Sequence, residues 1–413
     1  MGPGEYNVFR AARGVSQRLK PRIMTDRAPR IYLDHNASAP LRACAREAMF
    51  AAADVAGNPS SVHREGQAAR AVLEGARKGI ADFANASAER VVFTSGATEA
   101  AMTLLSPLWM QGDGNLRFRR LAVLDVDHPA LREGGRFGSE AFDRLPVDAA
   151  GRCILPVLRD WLSADGPRLV AVAVANGETG VVQDIAAISD AVRGSGGRLI
   201  VDASQIIGRR PFDECVRAAD AIIISSHKLG GPKGVGAVVL PRNGAFPAPL
   251  LTGGAQETRR RAGTPAPMLA AGFAAALAEA VAESACALGM AALRDRFEAD
   301  LSARAPVAIL GREADRLPQT SAFQLEGQRA ETVQISADLA GIAVSAGSAC
   351  RSGKLGRSEA LEAMRLGGAP IDPDLGLVRA SFGPATTAAE LERLVEVVAT
   401  MAGRTRKPIG RAA

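Results

Sequence analysis

Ala221-Ile-Ile-Ile-Ser-Ser-His-Lys-Leu-Gly-Gly-Pro-Lys-Gly-Val-Gly236 is the stretch on which the reading of this chain turns. The apolar run 221–224 predicts a buried strand, which breaks into Ser225, Ser226, His227 and Lys228. A Gly/Pro turn follows, then a second strand over 236–240. Lys228 therefore sits where a strand runs out, beside residues that let backbone approach closely. A lysine so placed, with hydroxyls and an imidazole just before it, suits a Schiff base to an aldehyde cofactor that carries a phosphate. A surface lysine on a loop fits the same local pattern, so the rest of the chain decides.

Outward from this stretch, strands are predicted at 90–94, 121–126, 169–175 and 199–202, with helical segments between most of them. That alternation predicts an α/β fold with a mostly parallel sheet and helices on both faces. Sites in such folds collect at the carboxyl ends of the strands. The polar residues do the same: Thr94-Ser95, Asp127-His128, Asn176-Gly-Glu178, Asp202-Ala-Ser-Gln205 and Ser225-Ser-His-Lys228. Ser95-Gly-Ala-Thr-Glu-Ala100 opens a helix after a strand. Its free N–H groups and helix dipole suit a phosphate. An ordinary capped helix, with Thr98 and Glu99 in its first turn, fits it too.

The grain changes after about residue 266. An alanine-rich helix over 268–293 leads into a strand at 320–325, a helix at 331–339, a strand at 377–382 and a closing helix at 386–402. The expected division is a large domain over 46–285 and a smaller α+β domain from 30–45 with 286–403. A disordered basic extension over 1–29 and a basic tail over 404–413 flank them.

The chain has 413 residues, 47% of them hydrophobic, enough for two domains with a large core. Its formal charge of +6 concentrates near the two ends, with no basic stripe interleaved with aromatics, so nucleic acid is not an expected partner. The five cysteines (Cys44, Cys153, Cys215, Cys286, Cys350) form no CxxC, which argues against a disulfide framework or zinc site and for a reducing, cytoplasmic setting. The longest apolar segment is interrupted by Glu279 and Glu283, so no membrane span is expected. Residues 1–29 lack an apolar h-region. They read as a disordered extension, as an upstream start before Met24, or as a targeting peptide interrupted by Glu5 and Asp26.

All four histidines (His35, His63, His128, His227) fall in polar strand ends or loops, which favours functional over structural roles. The blocks Tyr-Leu-Asp-His-Asn-Ala, Gly-Asn-Pro-Ser-Ser-Val-His, Phe-Thr-Ser-Gly-Ala-Thr-Glu-Ala, Ser-Ser-His-Lys-Leu-Gly-Gly-Pro-Lys-Gly, Arg-Arg-Ala-Gly-Thr and Ser-Ala-Gly-Ser-Ala-Cys occur in that order. With these in place, residues 31–402 resemble the cysteine desulfurases, pyridoxal-phosphate enzymes of the class V aminotransferase group and of fold type I. The last block resembles the housekeeping members that feed iron–sulfur cluster assembly.

The resemblance implies a set of roles. Lys228 would hold the cofactor, Asp202 would pair with its pyridinium nitrogen, and Gln205 would bond its phenolic oxygen. His128 would stack on the ring and move protons. Ala97, Thr98, Ser225 and His227 would hold the phosphate, with Thr264 completing the phosphate site of the other subunit of a homodimer. Arg379 and Asn176 would contact the substrate, L-cysteine. Cys350, in a Gly/Ser-rich stretch with Arg351 and Lys354 beside it, would carry a persulfide to a sulfur-acceptor or scaffold protein. No resident metal is implied, beyond a transient iron–sulfur contact at Cys350. The chain departs from the family at Asn176-Gly177-Glu178, where Asn-Asn-Glu is common: Gly177 has no amide to give. Another class V reaction, or a sulfur-relay scaffold with weak catalysis, remains open on the sequence.

Overall fold

The structure, a computed structural model, describes residues 30–112, 114–242, 244–284, 287–347 and 358–405. The extension over 1–29, Cys286, Cys350 with Arg351 and Lys354, and the tail beyond 405 lie outside the described residues, as does the side chain of Cys215.

Seven strands form the central sheet, in the spatial order Val91–Thr94, Gly236–Val239, Ala221–Ser225, Arg198–Asp202, Arg168–Ala173, Arg120–Leu124, Phe142–Leu145. All are mutually parallel except Gly236–Val239, which runs antiparallel to both its neighbours. Successive residues feed opposite faces, as the two-residue period of a strand requires. Val170, Val172, Val201, Ile222 and Ile224 enter one core, with Leu73 and Ile80 of the Arg64–Phe83 helix and Phe273 and Leu277 of the Pro267–Glu283 helix. Leu169, Ala171, Ile200 and Ile223 enter another, with Leu104 of the Ala97–Leu104 helix. Burial on both faces explains why these strands read as continuous apolar runs.

A four-stranded antiparallel sheet, in the order Val307–Ile309, Thr320–Leu325, Val378–Ser381, Ser345–Ala346, packs under the helices Ala287–Arg304, Ala330–Leu339 and Ala388–Thr405. Phe297 meets Phe323 and Phe382 edge-on at its centre, with ring centroids 6.5 and 5.8 Å away. The N-terminal segment is stitched to this sheet's core: Ile31–Tyr32 pairs with Ile342–Ala343, Leu33 is buried, and Asp34 bridges Ser381.

Three features differ from the sequence expectation. The helix expected over 268–293 is two, Pro267–Glu283 and Ala287–Arg304. The first serves the central core and the second the smaller one; one straight helix of that span, about 39 Å long, cannot lie against both. A short edge strand, Phe142–Leu145, escapes a pattern reading because Asp143 and Arg144 interrupt its apolar character; Asp143 pairs with Arg120 of the next strand at 2.6 Å. A small sheet of Leu108–Gln111, Gly114–Arg117 and Phe246–Pro247 was also not expected. Among the described residues no single helix is long and apolar enough to cross a membrane.

Candidate active site

Because the parallel strands share a direction, their carboxyl ends share an edge. Thr94, Gly236 and Ser225 lie side by side in register. The turn after Thr94 and the turn after Ser225 therefore emerge together, with one strand between them. A Cβ at Gly236 would fall 2.7 Å from Ile224 O and 2.9 Å from Gly96 Cα, so only glycine lets the Ser95–Gly96 turn lie against that strand. The Ala97–Leu104 helix starts there without a side-chain cap, leaving the amides of Ala97 and Thr98 for an anion. Ser225 is buried beside this turn, and His227 meets Ser38 Oγ at 3.3 Å. Burial and then Lys228 push the His227 pKa down to about 4, so the imidazole is neutral at pH 7.

Lys228 Nζ donates to Asn36 O at 2.7 Å and Ala37 O at 3.2 Å. Asp202, buried at the end of the next strand, accepts from Ser204 N at 2.8 Å. His128 caps the Pro129–Arg132 helix, its Nδ1 accepting from Ala130 N at 3.1 Å. Burial lowers its pKa, Asp202 opposes that and Lys228 adds to it, which places both groups within electrostatic reach of His128. Beneath them Asp127 accepts from Leu124 N and Ala173 N, both at 3.0 Å, tying two strands together; burial raises its pKa to about 8. Gln205 Nε2 donates to Asn36 O at 3.0 Å, the same carbonyl that Lys228 uses.

Across from this edge, Arg379 Nη1 donates to Gly177 O at 2.9 Å, and Nη2 to Asp34 Oδ1 at 2.7 Å and Ser345 Oγ at 2.9 Å. Its Nε is buried without a partner among the described residues. Asn176 does not face this space. Its Nδ2 donates to Val126 O at 2.8 Å, and its Oδ1 accepts from Glu178 N and Thr179 N, both at 2.9 Å. The amide expected at the substrate is thus spent on the turn, and it cannot stand in for the one Gly177 lacks. A Cβ on Gly177 would point at Gln205 Nε2, 3.2 Å away.

Two expected residues stand apart. His63 is exposed, caps the Arg64–Phe83 helix and meets Glu65 at 3.0 Å. Thr264 is exposed on a loop with no hydrogen bond to the others among the described residues; Arg261 ties that loop to Glu99 at 2.9 Å. Sequence reasoning assigned no role to Asp34, Asn36, Arg209 or Ser345. Asp34 and Asn36 lie inside a quoted block, so a signal was present; Arg209 offered none. Among the described residues no three His, Cys, Asp or Glu side chains are grouped to hold a metal ion.

A lysine amine at a sheet edge, a buried carboxylate beside it and a bare helix N-terminus one strand away define an enzyme of the pyridoxal-phosphate fold type I class. More particularly, the chain belongs to the class-V aminotransferase family, whose model matches residues 31–394. It is 36% identical over 383 residues to a cysteine desulfurase of Cereibacter sphaeroides, covering 89% of this chain and 95% of that one. It is 34% identical to an IscS-like cysteine desulfurase of Mycobacterium tuberculosis, covering 91% and 97%. A NifS-like protein from Rickettsia africae superposes with a TM-score of 0.79 at 26% identity, covering 89% of this chain and 98% of that one. The family's cofactor is pyridoxal phosphate, and the residues fit it: the uncapped amides of Ala97 and Thr98 suit the phosphate, Lys228 Nζ the aldehyde, and Asp202 the ring nitrogen.

Proposed function

We propose that this chain is a pyridoxal-phosphate-dependent cysteine desulfurase. It converts L-cysteine to L-alanine and leaves the sulfur as a persulfide on Cys350, for an acceptor protein in iron–sulfur cluster assembly. The observation that carries the reading is the convergence of Lys228, Asp202 and His128 at one sheet edge, with the Arg379 guanidinium seated opposite. The relatives' names, cysteine desulfurase and IscS-like cysteine desulfurase, support the same reaction.

In this reading Lys228 holds the cofactor's aldehyde carbon. The amides of Ala97 and Thr98, with Ser225 and His227, hold its phosphate, and Gln205 bonds its ring oxygen. Asp202 keeps the ring nitrogen protonated. When bound, the cofactor draws electrons from the substrate's α-carbon and so makes the β-sulfur open to a thiolate. Arg379 takes the substrate carboxylate, a task suited to a guanidinium held by three contacts. His128 moves a proton at Nε2, since its Nδ1 is engaged by Ala130 N. The Cys350 thiolate attacks sulfur: the S–S bond forms, the C–S bond breaks, and its electron pair goes to the substrate carbon, which takes up a proton. L-cysteine and a thiol give L-alanine and a persulfide, with no outside oxidant. Two other thiols are poor competitors, because burial pushes Cys44 to about 11 and Cys153 to about 12. A homodimer would let the exposed Thr264 serve the partner's phosphate site, and a cytoplasmic setting suits the free thiols. Residues 30–45 with 286–403 form the smaller domain of this enzyme, around 46–285.

Purified protein given L-cysteine should release alanine and gain one sulfur atom on the Cys350 peptide. Lys228→Ala should lose the visible cofactor band and all turnover, and Cys350→Ser should keep the band but release almost no alanine. A serine variant that desulfurates normally, or sulfur found on another cysteine, sinks the mechanism. A wild-type protein with no band would instead favour a scaffold.

A further inference from the structure

Arg209 lies four residues beyond Gln205, after a turn at Gly208 whose φ is +75°. A Cβ there would meet Ala280 at 2.7 Å, so glycine lets the chain turn tightly against the Pro267–Glu283 helix. Arg209 Nη1 donates to Gln205 O at 2.9 Å and also to Gln205 Oε1. Its Nη2 donates to Lys228 O at 3.2 Å. With the Gln319 amide turned so that its oxygen faces the guanidinium, that oxygen accepts from Nη1 at 3.2 Å and Nε at 3.0 Å. Every one of these acceptors is uncharged.

Two consequences follow from this geometry. The Gln205 amide has one orientation available: its oxygen is taken by Arg209, so its Nε2 must face outward, where it shares Asn36 O with Lys228 Nζ. A single guanidinium thus fixes the polarity of one side chain and the backbone of the other. The second consequence is electrostatic. The charged group that weighs on Arg209 is Arg379, and Arg209 in turn weighs on His35; Asp34 is bonded to Arg379, and the Asp202 carboxylate, three residues before Gln205, accepts from Ser204 N. Burial and then Arg379 bring the Arg209 pKa down to about 9, which still leaves it protonated at pH 7. A cation held against neutral acceptors favours an anionic oxygen brought beside it.

We propose that Arg209 is a positioning residue of the cofactor site: it aims the Gln205 Nε2 donor at the ring oxygen of pyridoxal phosphate and favours that oxygen in its anionic form. The proposal rests on the cofactor reading above. It is tested by reconstituting apoenzyme with pyridoxal phosphate and titrating the visible absorbance of the bound cofactor with pH. Arg209→Met should weaken cofactor affinity about tenfold and move the absorbance midpoint up by about one pH unit, because the charge that favours the anion is gone. Arg209→Lys, which keeps the charge but not the fork, should return the midpoint toward wild type while affinity stays weakened, and it stands in if the methionine variant does not fold. A midpoint unchanged in Arg209→Met, with only apoenzyme melting temperature lowered, shows a structural arginine and overturns the proposal. Wild-type apoenzyme that takes up no pyridoxal phosphate overturns the cofactor reading and this inference together.

Discussion

Lys228, Asp202 and His128 stand at the ends of strands in one sheet, whereas Arg379, Asp34 and Gly177 meet across the seam between that sheet and the four-stranded one. The first group is positioned by the ladder of a sheet buried on both faces, so each residue is fixed by its own strand. The second group is positioned by side-chain hydrogen bonds, and Arg379 is their common node: it holds Gly177 O on one side and Asp34 and Ser345 on the other. The cofactor half of the site is therefore rigid by construction, and the substrate half depends on how the two sheets are joined. Substitutions in the first half should alter chemistry at constant substrate affinity, and those in the second should do the reverse.

The sharpest test of that division is Asp202→Asn. The amide oxygen can still accept from Ser204 N, so the geometry survives and only the charge is removed. Turnover should fall at least a hundredfold, roughly 3 kcal/mol of lost preorganised electrostatics. Cofactor occupancy by absorbance and KM for cysteine should change little. Unchanged turnover at full occupancy would reduce Asp202 to a turn residue.

The seam should respond in the opposite sense. Arg379→Lys replaces a fork with a point charge that cannot reach Gly177 O, Asp34 and Ser345 together. KM for cysteine should rise about thirtyfold, a loss of roughly 2 kcal/mol from one charge-assisted contact, with cofactor affinity within twofold of wild type. If KM holds and the cofactor falls away instead, the two halves are not separable.

The same division explains what the sequence made readable. A strand that ends in polar residues is a local pattern, and Thr94-Ser95, Asp127-His128, Asp202 and Ser225 to Lys228 all reach the expected edge. The seam is not local: Arg379 and Asp34 are 345 positions apart, and no window of sequence joins them. Asn176 reads as a ligand only until its turn is built, when the backbone N–H groups of Glu178 and Thr179 claim its oxygen. Arg209 and Arg210 show the limit most plainly. Adjacent and identical in type, one is enclosed against Gln205 and Lys228, and the other pairs with exposed Asp315 at 2.6 Å. The turn at Gly208, packed against Ala280 of the Pro267–Glu283 helix, leads into both, and no local pattern tells which of the two will be enclosed.

The smallest expected effect lies on the seam as well. Glu178 follows Gly177, and its Oε2 accepts from Ser358 Oγ at 3.3 Å. Burial raises its pKa from 4.5 to about 7, against the opposing pull of Arg379, the Ser358 hydrogen bond and Arg132. Between pH 4.5 and 7 the folded chain therefore binds a proton here that the unfolded chain has lost. Stability from this group is full below pH 4.5 and drains away as pH rises through 7. Glu178→Gln keeps an oxygen for Ser358 and has no proton to lose, so it should not share that decline. Its melting temperature, compared with wild type, should gain about 3 °C between pH 5 and pH 8. An offset that stays constant over this range would mean that Glu178 is ionised throughout, and that Arg379 pulls on it more strongly than burial opposes.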